Sequence, residues 1–148
     1  MTRYRPQLTN AHVDLTREVE VTDERGRVSL ISIPAERPLT VYVDKRELVT
    51  LMTLGGAPEA LTLGYLRNQR FIRQLEDVVS VQVDWDVEAV AVITRDGIDD
   101  IEERTAKRVV TTGCGQGSVF GGLMDDVAAI RLSPDAKLKQ SVLIRIVD

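Results

Sequence analysis

The chain has 148 residues, 43% of them hydrophobic and 28% charged, with a formal net charge of −4. That is length and apolar content enough for one domain with a sizeable core, and it argues against a disordered chain. The negative balance argues against indiscriminate nucleic-acid binding, which depends on lysine and arginine neutralising phosphates. One cysteine and one histidine, His12, exclude an internal disulfide and a cysteine-rich zinc site, so no metal is expected.

Residues 1–15 are polar and irregular and read as a mobile or loosely docked arm; they lack the apolar core of a signal peptide. No apolar run approaches the roughly 20 residues of a membrane span, so the chain reads as cytoplasmic and without a membrane partner. Val19 and Val21 alternate with Glu18 and Glu20, Asp23-Glu24-Arg25-Gly26 supplies turn chemistry, and Val28, Leu30 and Ile31 follow, which predicts a hairpin. From Pro38, the residues Leu39, Val41 and Val43 face one side of a half-buried strand. Asp44-Lys45-Arg46 then turns the chain back into Leu48–Met52.

Gly55-Gly56 breaks the pattern, and Pro58-Glu59 starts a helix predicted to reach about Ile72. Its expected inner face is Leu61, Tyr65, Asn68 and Ile72, with Leu66 flanking. Arg67, Arg70 and Arg73 form a basic exposed side, which is more often a solvated face than a binding surface. Residues 78–93 alternate, with Val79, Val81, Val83, Trp85, Val87, Ala89, Ala91 and Ile93 expected on one side. Sixteen residues exceed a typical strand, so the stretch divides at Asp84-Trp85-Asp86 into two paired strands, with Trp85 a turn or core residue. Asp99–Arg108 reads as a short exposed helix, and 138–147 fits either a helix or a strand. The fold class is α+β, with an antiparallel or mixed sheet from 16–54 and 78–95 and packed helices. The domain reading is an arm over 1–15, an α+β domain over 16–110, and over 111–148 a cysteine loop with the start of a second domain.

The segment Val109-Val110-Thr111-Thr112-Gly113-Cys114-Gly115-Gln116-Gly117-Ser118 holds the only cysteine, between glycines that cannot shield its sulfur. Glycines permit positive φ, and successive N–H groups from Gly115 to Ser118 in such a turn can converge on a thiolate. Ser118 reads as the N-cap of a helix carrying Val119, Phe120, Leu123, Met124, Val127 and Ile130, whose dipole would help the same charge, with Lys107 or Arg108 as weaker upstream contributors. The alternative is a thiol packed inertly against Phe120 and Met124. The glycine run lacks G-x-x-x-x-G-K-[ST] and misses G-x-G-x-x-G, so alone it is a weak nucleotide-loop signal.

Three blocks in order, Glu36-Arg-Pro38-Leu39-Thr-Val41-Tyr-Val43-Asp44, Ala60-Leu61-Thr-Leu63-Gly64-Tyr65-Leu66 and Thr111-Thr112-Gly113-Cys114-Gly115, resemble the formate dehydrogenase accessory sulfurtransferase (FdhD) family. The family shows E-x-P-L before an alternating strand, an L-A-x-G-F-L helix and a C-G-x-C loop. The resemblance implies a sulfurtransferase that takes a persulfide from a cysteine desulfurase and passes sulfur to the molybdenum cofactor, as bis-molybdopterin guanine dinucleotide, for formate dehydrogenase. Cys114 matches the persulfide-carrying first cysteine, with Gly113, Gly115, Gln116, Gly117 and Ser118 as loop backbone support. No cofactor is expected to be tightly bound, and a homodimer is compatible with the chain. Gly117 stands where the second cysteine would be, which removes any chemistry needing a thiol pair in one chain. Family members are considerably longer, and their later half, with a G-G-x-H-A motif, has no counterpart before Asp148; on that ground the chain alone is expected to be a poor sulfurtransferase even if Cys114 accepts sulfur. Two other readings stand beside the carrier: a non-catalytic module binding a guanine nucleotide or molybdopterin through the loop backbone, and an inactive fragment of the family.

Overall fold

The structure is a computed structural model that describes residues 4–106, 108–110, 118–120 and 130–147. Its strands are β1 (Gln7–Leu8), β2 (Thr16–Thr22), β3 (Val28–Pro34), β4 (Arg37–Val43), β5 (Arg46–Thr53), β6 (Val78–Asp84), β7 (Ala89–Thr94), β8 (Arg108–Val110) and β9 (Ser118–Phe120). The helices among these residues are α1 (Pro58–Asn68), α2 (Ile101–Ala106) and α3 (Gln140–Val147), with a short 3-10 turn over Leu75–Asp77. One five-stranded sheet has the order β1-β6-β7-β4-β5; β2-β3 and β8-β9 form two separate ribbons. Within the large sheet β4–β5 and β6–β7 are antiparallel, whereas β4–β7 and β1–β6 are parallel. The fold is therefore α+β with a mixed sheet, and residues 78–93 are two strands, as their alternation predicts.

The 16–54 stretch departs from one continuous sheet, because β2 and β3 pair with each other and stand apart from β4 and β5. The β4–β5 connection is a two-residue turn with Asp44 at φ 47° and Lys45 at φ 71°, the left-handed pair that matches the twist of a hairpin. Leu39, Val41 and Val43 are essentially inaccessible, as expected. A bulge at Val41/Tyr42 makes Leu48 the extra residue of β5, so consecutive Leu48 and Val49 are both buried.

Strand parity in 78–94 differs from the simple alternation. Val81 and Val83 point inward, but Val79 is exposed, and on β7 the buried residues are Val90 and Val92 while Ala91 and Ile93 face out. A bulge between Val78 and Ser80 leaves Val79 unpaired, and the connection after Asp84 resets the register so that Val81 opposes Val92 and Val83 opposes Val90. One inserted residue moves every following side chain to the other face.

Helix α1 stops at Asn68, four residues before the expected end. The Phe71 N–H donates to the Leu66 carbonyl (2.8 Å) and the Arg70 N–H to the Arg67 carbonyl (3.0 Å), with Arg70 at φ 57°. This is a Schellman closure in which arginine takes the left-handed position usually given to glycine, and it folds Phe71 against Leu66 in the core. The buried face is Pro58, Glu59, Thr62 and Leu66, of which only Leu66 is expected from the sequence, as a flanking residue; Leu61 and Asn68 are exposed, Tyr65 is half-buried, and Ile72 is buried beyond the helix. Two polar residues sit on that face because each has a partner: Thr62 Oγ1 donates to the Pro58 carbonyl (2.8 Å), and Glu59 Oε1 accepts the Ala11 N–H (2.8 Å).

The latter bond belongs to the N-terminal segment, which is docked rather than loose. Gln7 and Leu8 pair with Ser80 and Val81, and Thr9 Oγ1 donates to the Val81 carbonyl while accepting the Val83 N–H. Farther on, Trp85 Nε1 donates to the Ala11 carbonyl and the Val13 N–H to the Gly55 carbonyl (3.0 Å). Each of these bonds engages a backbone group on at least one side, so a polar sequence gives no hint of them. Helix α3 resolves 138–147, and α2 matches the short helix expected after Asp99.

Gly55 lies at φ 83°, and a Cβ there would collide with Val13 Cγ2 and press on Trp85. Gly55→Ala should therefore destabilise the fold by about 1–3 kcal/mol, from the left-handed penalty plus the clash. Denaturant unfolding measures the loss, and amide exchange at Ala11 and Val13 should accelerate with it. Ahead of β6, the Asp77 carboxylate accepts the Arg73 N–H (2.8 Å) and the Gln74 N–H (3.1 Å), and these bonds, led by Arg73, hold it below its ordinary value. A lowered folded pKa gives stability that is complete above the unfolded value near 3.9 and lost as pH falls through the folded value. Asp77→Asn should cost about 0.5–1 kcal/mol at pH 7, and the melting curves of the two proteins should converge at acid pH.

Candidate functional site

The two short strands around the cysteine segment pair antiparallel, with Arg108 opposite Phe120, Val109 opposite Val119 and Val110 opposite Ser118. Residues 111–117 connect the two strands in sequence. Gly113, Cys114, Gly115, Gln116 and Gly117 lie outside the described residues, as do Lys107, Leu123, Met124 and Val127. Ser118 is the first residue of a strand, not the cap of a helix. The expected helix start is corrected by local chemistry: Val109 and Val119, both of a β-branched type that favours extended backbone, are register partners in a ladder. The helix-dipole contribution to a thiolate therefore falls away at this position. Arg108, at the register position farthest from the connection, is separated from it by Val109 and Val110.

The other two sequence blocks lie in the main sheet and in α1. Glu36 is exposed just before β4, Pro38 opposes Met52, and Leu39 is buried in the sheet. Asp44, expected only as a turn residue, also grips β7: its carboxylate accepts the Thr94 N–H (3.0 Å) and the Thr94 hydroxyl (2.5 Å), while its own N–H donates to the Val92 carbonyl (3.0 Å). The Ala60–Leu66 block is the body of α1, where Gly64 has open space around it. Sequence reasoning missed the buried carboxylate of Glu59, taken as a first-turn acid, because its partner is a backbone amide 48 residues away.

Among the described residues two concavities stand out. A cleft of about 720 Å³ at the end of α1 is lined by Arg67, Arg70 and Arg73 facing Asp77, Asp96 and Asp99. Arg67 Nη1 donates to the Arg73 carbonyl (2.7 Å), so part of that basic run supports the chain turn itself. A second groove of about 520 Å³ runs over the outer sheet face between Leu8, Tyr42, Gln82 and Ala91. Among the described residues no three His, Cys, Asp or Glu side chains cluster as metal ligands would, and no helix is long and apolar enough to cross a membrane.

Comparison with known proteins brings the three blocks together. The model of the FdhD/NarQ family matches residues 34–148. The chain is 27% identical over 111 residues to the sulfur carrier protein FdhD of Listeria innocua, covering 73% of this chain and 41% of that protein. It is 28% identical over 92 residues to the sulfur carrier protein FdhD of Wolinella succinogenes, covering 62% of this chain and 32% of that one. The chain thus spans about two fifths or less of the length of these curated relatives. A crystal structure of a formate dehydrogenase accessory protein from Desulfotalea psychrophila aligns with a TM-score of 0.46 at 18% identity, over 60% of this chain and 38% of that one. With the family model matched from the end of β3 through to Asp148, the chain belongs to the FdhD/NarQ family.

Proposed function

We propose that this chain carries sulfur on Cys114, accepting it from a cysteine desulfurase and passing it on to the molybdenum cofactor required by formate dehydrogenase. The observation that carries the reading is the family match across 34–148, within which curated relatives are named sulfur carrier proteins and this chain has one cysteine to serve. The chemistry needs a single sulfur. The Cys114 thiolate attacks the outer sulfur of the donor's persulfide, a new S–S bond forms at Cys114, and the donor cysteine leaves as its thiolate. In delivery, a nucleophile on the receiving side attacks that outer sulfur and Cys114 is the leaving thiolate. With Gly117 in place of a second cysteine, the next nucleophile comes from outside the Thr111–Ser118 segment.

The thiolate form is required for the first step, and the chain's one histidine, His12, belongs to the N-terminal segment docked near α1. Glycine backbone N–H groups beside Cys114, with Lys107 or Arg108 as weaker upstream contributors, would support that charge. Incubation of the chain with a cysteine desulfurase and cysteine should add one reductant-labile sulfur atom by intact mass, and Cys114→Ser should add none. Alkylation of Cys114 should titrate below the ordinary thiol value of about 8.5. A wild-type mass that never changes, or sulfur that persists on Cys114→Ser, would refute the carrier reading.

A further inference from the structure

The segment that carries Cys114 is joined to the main sheet through α2, since Lys107 alone stands between Ala106 and β8 in the sequence. Six residues are too few for a helix to hold itself in water, so α2 depends on what it touches. Its approach is fixed by the body. The Asp44 carboxylate holds Thr94, the Arg95 N–H donates to the Asp77 carbonyl (2.8 Å), and Gly97 (φ 78°) and Asp100 (φ 53°) bend the chain through left-handed positions into the helix. Two attachments then follow on consecutive residues. Ile101, with Ile98 before it, packs against the hydrophobic core, and the Glu102 carboxylate meets Arg46 Nη2 at 2.8 Å. Consecutive helical residues point about 100° apart around the axis, so Ile101 alone would leave α2 free to roll and Glu102 stops the roll. Arg46 is a firm post, because it follows the left-handed Asp44-Lys45 turn and opposes Val43 in the ladder.

We propose that Glu102 and Arg46 are positioning residues for sulfur acceptance: their ion pair sets the direction in which β8 and β9 leave the body, and with it the approach of Cys114 to the donor's persulfide. The inference rests on the carrier reading of Cys114. The pair is exposed on both sides, with 44% of the arginine and 80% of the glutamate side chain accessible, and such pairs add little to stability. Its effect is therefore on orientation and not on whether the chain folds. Attack on the outer sulfur of a persulfide requires the thiolate in line with the S–S bond that breaks, and a displacement of about 1 Å can cost about a hundredfold in rate. A small neutral alkylating reagent reaches the thiol from any open side and does not sense the direction of the ribbon. Both residues act through α2, not on the reacting sulfurs.

The test compares the full 148-residue wild type with Arg46→Glu, Glu102→Arg and the exchanged pair carrying both. Initial rates of sulfur gain from a cysteine desulfurase and cysteine, read by intact mass, should fall about tenfold in each single variant. They should return to within about twofold of the wild type in the exchanged pair. Circular dichroism and iodoacetamide alkylation of Cys114 should not change. The chain's one tryptophan and one cysteine give a readout independent of sulfur. Time-resolved energy transfer from Trp85 to a probe on Cys114 should show a shifted or wider distance distribution in each single variant and recover in the exchanged pair. An exchanged pair that stays slow places the two charges against the donor itself, alkylation that slows with the sulfur rate points to a general loss at the thiol, and single variants that match the wild type in rate or in distance show that the pair positions nothing; each overturns the proposal. A wild type that gains no sulfur refutes the carrier reading instead, and the distance distributions then decide the positioning: unchanged in the single variants, they overturn it.

Discussion

The fold depends on a four-residue parallel seam. β4 and β5 are one hairpin, β6 and β7 another, and neither would be stable alone; they become a sheet where Thr40–Val43 lies beside Ala89–Val92. The Thr40 N–H donates to the Glu88 carbonyl at one end, and at the other the Asp44 carboxylate accepts both the N–H and the hydroxyl of Thr94. This seam brings Val41 and Val43 beside Val90 and Val92, all nearly inaccessible, and gives Leu66, Phe71 and Ile72 a surface to cover. At about 1.5–3 kcal/mol for each aliphatic side chain taken out of water, that joined surface is the main favourable term in the fold.

Strand existence was legible in the sequence because it rests on alternation and turn residues, which act over a few positions. The Asp44-Lys45 turn, the two hairpins and the division of 78–93 all follow from such local signals. Which face each strand buries was less so, since a single bulge at Val79 or Leu48 inverts it and neither residue looks unusual. The end of α1 was misread for a similar reason. Arg70 occupies a left-handed closure without the glycine that would have announced it, and apolar Phe71 and Ile72 continue a helical spacing that the backbone no longer follows.

The candidate site divides in the same way. Cys114 stands out from its glycine neighbours and from its match to a family motif, both properties of a short segment. Ser118 was misassigned because Val119 and Phe120 fit a helix and a strand equally well over three residues, and only pairing with Val109 and its neighbours distinguishes them. The roles of Glu59 and Asp44 were invisible, since each carboxylate serves an amide about 50 residues away in the chain.

That distance has a consequence for how the protein is made. Asp44 and Thr94 are 50 residues apart, and β4 is an uncharged run of Leu39 to Val43 whose open side is filled only by β7. During synthesis at about 5–20 residues per second, the first hairpin waits roughly 3–10 seconds for its neighbour to leave the ribosome. Throughout that interval its apolar face and backbone edge have no neighbour within the chain. Slower translation across residues 54–94 would lengthen the exposure without changing the native protein at all.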